Sequence, residues 1–162
     1  MASGDTLATF GPLDNEPEAS NYATLNTRNG HPVLEFDDTT AESAVFSFIL
    51  PRNYGGGGIT AYVHSAAASA TSGTIGWTVE FERVGTAQDT DADSYASAQT
   101  VTAATVSGTS GIVTIGSVAV SNGANMDSIA VGELVRMRIK RDVANDNAAG
   151  DAQLFAVELK ET

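Results

Sequence analysis

The chain has 162 residues, of which twenty are Asp or Glu, eight are Lys or Arg and none is Cys. That length is about one domain's worth and can bury a core without metal or disulfide support. The missing cysteines exclude disulfides, thiolate chemistry and cysteine metal sites, and a formal net charge of -12 repels nucleic acid.

Residues 1–30 show no sustained period and are punctuated by Pro12, Pro17, Asn15, Asn21 and Asn26. They read as an extended N-terminal arm, with Leu7, Phe10, Leu13, Tyr22 and Leu25 as anchors. Such an arm either straps its own domain or docks onto another subunit. The first residues lack the basic region and apolar run of a secretory signal. No stretch approaches the ~18 apolar residues of a membrane span, so no membrane partner is expected.

From Asn29-Gly30, a hairpin signal, strands dominate. Residues 32–36 read as the first. Residues 43–50 alternate Ala44, Phe46, Phe48 and Leu50 on one face, with Val45 and Ile49 on a second face that is also covered. Pro51 ends that ladder. The glycine run at 55–58 lacks the Lys-Ser/Thr and the following helix of a phosphate loop, so it reads as a tight loop with Tyr54 packed down. Residues 59–65 form the next strand. Residues 73–84 form the central one, with Ile75, Trp77, Val79 and Phe81 facing the core and Thr78, Glu80 and Glu82 facing away.

Residues 85–98 are an acidic loop in which Asp89, Asp91 and Asp93 alternate. The spacing imitates a calcium loop but lacks its glycine and its closing glutamate; a solvated loop is the simpler reading, and no metal is expected. Strands follow at 99–106 and 112–121, the latter with a bulge or close backbone approach at Gly116. A helical turn then carries Met126 and Ile129. In the strand at 133–141, Val135, Met137 and Ile139 oppose Arg136, Arg138 and Lys140. That basic stripe either meets a partner's carboxylates or pairs with Glu80 and Glu82. Residues 151–160 form the last strand.

Eight strands separated by Gly, Ser and Asn turns argue for an all-β, eight-stranded antiparallel sandwich of jelly-roll type over residues 31–162. His31 and His64 are too few for a zinc site, no hydrolase elbow is present, and no cofactor is expected. Trp77, Tyr62 and Tyr54 form an aromatic sugar platform only if they are exposed together.

The segment from Leu50 and Pro51 through Tyr54, Gly56 and Gly57 to Trp77, set in a short acidic chain with an irregular arm, resembles jelly-roll capsid decoration (cement) proteins of tailed bacteriophages. The resemblance implies a non-enzymatic homotrimer on the outer surface of the virion's icosahedral head. It would bind the major capsid protein and bridge neighbouring capsomers. The expected contacts are Leu7, Phe10, Leu13 and Tyr22 of the arm, Tyr54, and Arg136, Arg138 and Lys140. The alternative is a fibre or spike module, or a carbohydrate-binding sandwich, that recognises a glycan.

Overall fold

The computed structural model describes residues 1–162. Twelve strands run β1 (Thr6–Phe10), β2 (Thr24–Arg28), β3 (His31–Phe36), β4 (Ser43–Ile49), β5 (Ile59–Ala67), β6 (Thr74–Ile75), β7 (Trp77–Val84), β8 (Gln99–Thr100), β9 (Ala104–Thr105), β10 (Thr114–Val120), β11 (Leu134–Arg141) and β12 (Ala152–Glu161). They form two antiparallel sheets. Sheet A has the order β10-β5-β12-β3-β2, with β1 also on β12; sheet B has the order β4-β11-β7-β8; β6 and β9 make a separate short ribbon.

Alternation explains the sandwich. On β11, Val135, Met137 and Ile139 are fully buried, while Arg136, Arg138 and Lys140 between them are half-buried on the outer face. Met137 lies opposite Phe46 on one side and Phe81 on the other. Val63 and Ala61 of β5, with Leu154, Val157 and Leu159 of β12, supply the facing layer. Trp77 is 1% exposed. Its indole N–H donates to Ser65 Oγ at 3.2 Å, and its ring meets Phe36 edge-on with centroids 4.8 Å apart. The core role expected for Trp77 therefore holds, and an indole buried this way needs the partner that Ser65 supplies.

Two local readings change, and a third is decided between its alternatives. The strand expected over 73–84 breaks at Gly76, where the loop after β11 leans in: Asp142 donates its N–H to Gly76 O, and Gly76 N donates to Asp146. The strand expected over 99–106 is reduced to the short pieces β8 and β9. The register of β10 on β5 runs unbroken through Gly116. The glycine serves a close approach, since a Cβ there would lie 2.9 Å from Thr102 O. Met126 and Ile129 are buried, and a short 3-10 turn spans Ala124–Met126, as the pattern implied.

The N-terminal segment differs most from an extended arm. β1 pairs with residues 157–160 of β12, and β3 pairs with residues 152–154, so the two lie end to end along one edge of β12. A bulge between Leu154 and Ala156, seen in the pairing with β5, falls where that change of partner occurs. β2 forms a hairpin with β3 through Asn29 (φ 47) and Gly30 (φ 80), the left-handed pair that a type I′ turn requires. Between β1 and β2 the chain runs along the free edge of β4: Glu16 N donates to Val45 O, and Asn15 Oδ1 accepts from Val45 N. Val45, on the outer face, is fully buried.

Candidate functional site

The residues expected to meet a partner fall into three groups. Leu7 and Phe10 belong to the protein's own sandwich. Phe10 is 8% exposed and stacks on Phe46 at 5.2 Å, and Leu7 packs half-buried against the same cluster. As free anchors they are corrected: β1 pairing turns them inward. Leu13 and Tyr22 are exposed, at 73% and 47%, and share a shallow apolar surface with Leu25 and Pro17.

Tyr54 is likewise corrected, because it is buried. Its hydroxyl accepts the Gly58 N–H at 2.8 Å, and burial raises its phenol above the ordinary value. The glycine run follows from packing against the C-terminal strand. Gly55 N donates to Glu161 Oε1 at 2.6 Å, and a Cβ at Gly57 would lie 2.8 Å from Thr162 O.

The basic stripe on β11 is largely neutralised within the chain. Arg136 pairs with Glu82 at 2.6 Å, and Arg138 pairs with Glu80 at 2.5 Å and Glu18 at 3.1 Å. Both guanidinium groups lie over Tyr95, at 5.5 and 4.0 Å from its ring centre. Tyr95 is pushed up to about 12, chiefly by burial. Of the stripe, Lys140 alone has no carboxylate within salt-bridge distance. The cross-strand pairing of Glu80 with Arg138 and of Glu82 with Arg136 is set by register, and charges placed opposite each other on one face attract.

Asp89, Asp91 and Asp93 do not converge. Asp89 accepts the Asp91 N–H and Asp93 accepts the Ser94 N–H, and no group of three or more metal-ligating side chains is present.

The outer face of sheet A carries a different set of groups. Tyr62 and His64 of β5 point outward between the buried Ala61, Val63 and Ser65. Across the sheet, Ser117, Tyr62 and Glu158 form one row, and Ile115, His64 and Ala156 the next. Beside these rows a pocket of about 370 Å³ is lined by Arg28, Asn29, His31, Gly111, Val113 and Phe155. That volume lies within the ~300–1,000 Å³ of small-ligand sites. The β2–β3 turn positions Asn29 and His31, and the β12 bulge places Phe155. Exposed Ile112, Val113 and Ile115 continue the apolar rim.

The sequence offers His31 and His64 as metal ligands, and His64 also as the histidine of a Ser–His–Asp arrangement, while Tyr62 enters only together with Trp77 and Tyr54. Those two rings are buried, so the three do not form one platform. Arg28 and Phe155 were missed. The period-two pattern of β12 puts Phe155 on the buried face with Val157 and Leu159, and the bulge between Leu154 and Ala156 is what turns it out to the pocket.

No family model and no curated protein matches the chain. Among solved structures it is similar to the CBM22-2 xylan-binding domain of Paenibacillus barcinonensis Xyn10C, at 12% identity over 92% of both chains with a TM-score of 0.51. The CBM22-1 xylan-binding domain of the same protein aligns at 12% identity over 99% of this chain and 96% of that one, with a TM-score of 0.49. The chain has a jelly-roll-like β-sandwich fold. At 12% identity the likeness is one of fold alone.

Proposed function

We propose that the chain is a non-catalytic binding module that recognises a glycan on the outer face of sheet A. The observation that carries this reading is the pocket itself. One aromatic ring, Phe155, lies among the neutral and cationic donors of Asn29, His31 and Arg28, next to the open rows of Tyr62 and His64. A sugar presents C–H faces that pack on an aromatic ring and a hydroxyl rim that needs directional polar partners. The fold shared with a xylan-binding domain is in keeping with this reading.

The test is a polysaccharide panel followed by calorimetry on any positive. Phe155→Ala should weaken binding about tenfold or more, since truncating a central aromatic anchor typically costs ~2 kcal/mol. Failure of every glycan to bind at millimolar concentration would sink the reading.

A second reading, a decoration protein on the outside of a bacteriophage head, is favoured by one observation. Leu13, Tyr22 and Leu25 make an apolar patch that the protein's own sandwich leaves uncovered. In that reading the patch meets a capsid protein or sister subunits of a trimer. The protein's mass in solution and its co-sedimentation with empty shells decide it; a monomer that ignores shells would dismiss it.

A further inference from the structure

We propose that the pocket at the β2–β3 turn selects an acidic glycan, one whose uronic-acid carboxylate is held by the guanidinium of Arg28. The inference rests on the glycan reading above and names the sugar chemistry of the same site.

The first support is how the protein distributes its few cations. Arg83, Arg136, Arg138, Arg141 and Lys160 each stand against a carboxylate. Arg28, Arg52 and Lys140 do not, although acidic side chains outnumber basic ones twenty to eight, and of these three only Arg28 lines the pocket. Its hydrogen bonds go to neutral acceptors: Nη1 donates to Ala68 O at 3.0 Å, to Gln153 Oε1 at 2.8 Å and weakly to Ala67 O at 3.4 Å. Nη2 has only Ser110 Oγ, at 3.5 Å. Half the fork is therefore fixed while its positive charge stays unneutralised at the edge of a pocket.

The second support is that the surroundings are built to hold that arrangement. Gln153 is 4% exposed, and its Nε2 donates to Glu35 Oε1 at 2.8 Å. That bond turns its carbonyl oxygen toward Arg28. The second oxygen of Glu35 accepts from Asn26 Nδ2 at 2.7 Å, which fixes the carboxylate that holds Gln153. Gly111 sits against the guanidinium with φ +81, and a Cβ there would overlap it. The loop thus closes over Arg28 because that position is glycine.

A planar guanidinium with free donors matches a planar carboxylate better than it matches a hydroxyl. The apolar lining of Phe155 and Val113 suits a sugar ring bearing one charge. The -12 field of the whole chain disfavours polyanions.

The test uses matched oligosaccharides that carry a single uronate: glucuronate-substituted xylan fragments and neutral oligosaccharides capped by one galacturonate, each beside its carboxyl-reduced counterpart. Wild-type protein is expected to bind at least one acidic form about tenfold more tightly than its reduced twin at low salt, as a charge-assisted hydrogen bond supplies. In Arg28→Gln the ratio of the two affinities should fall to about one. Added salt should erode the wild-type preference, a measurement that needs no variant and decides the matter even if Arg28→Gln folds poorly. Equal affinity of wild type for acidic and reduced forms would overturn this inference while leaving the glycan reading intact. Binding to neither form would overturn both.

Discussion

Arg141 is a guanidinium inside the sandwich, 1% exposed at the end of β11. Its Nε and Nη2 meet both carboxylate oxygens of Asp146, at 2.8 and 3.1 Å. The remaining donors reach Phe36 O at 3.0 Å, Gly150 O at 2.8 Å and Ala148 O at 2.9 Å. Five acceptors around one cation fold the 142–150 loop back onto the body, and that loop is what interrupts the strand at Gly76. A buried pair of this kind adds little over an apolar substitute, but breaking it strands a charge. Asp146→Ala should therefore lower stability by about 3–5 kcal/mol in urea denaturation. A loss below about 1 kcal/mol would mean that water reaches the guanidinium.

Among the strands, β1 separates the two roles considered for the N-terminal segment. Phe10→Ala removes a ring stacked on Phe46 and edge-on to Phe48, and should cost about 3 kcal/mol. Leu13→Ala, at an exposed position, should change stability by less than about 0.5 kcal/mol. Thermal unfolding of the two variants checks the contrast; similar losses would mean that the whole segment acts as one strap. The strands β5, β7 and β11 were legible because their core-facing apolar residues recur in a period of two; β4 buries Ala44, Val45 and Phe46 in succession and β12 changes face at its bulge, so these two were legible as apolar runs rather than by strict alternation. β1 was not, because its pairing with β12 shifts register between Thr6 and Ala8. The shift sets Leu7, Ala8 and Phe10 out of simple alternation. The pocket was still less legible. Arg28 finds Ser110 and Gln153 from 82 and 125 residues away, and no local spacing encodes such a meeting. The basic stripe was visible as a pattern, and its carboxylate partners were visible too; which of the two readings held depended on the register of β7 against β11.

For the molecule as a whole, acidification should act in two separable stages. Near pH 4.2 the net charge vanishes, and with it the self-repulsion that keeps copies apart. The apolar patch of Leu13, Tyr22 and Leu25 is then free to associate. Unfolding should come later. Asp37 accepts from the Thr39 hydroxyl and from the N–H groups of Thr39 and Thr40, and these bonds hold its carboxyl down at about 2, against an ordinary 3.8. A depressed carboxyl contributes stability that is fully present above its unfolded value, and that contribution fades as pH falls from about 3.8 through about 2. Glu133 is lowered by Arg83 and acts in the same direction. Asp151 is raised by burial and acts oppositely, since its strain is relieved by protonation. Light scattering should therefore rise between pH 5 and 4 while the fluorescence of buried Trp77 stays native, and Leu13→Ser should suppress that rise. If scattering and fluorescence change together, association follows unfolding, and the patch is not the surface responsible.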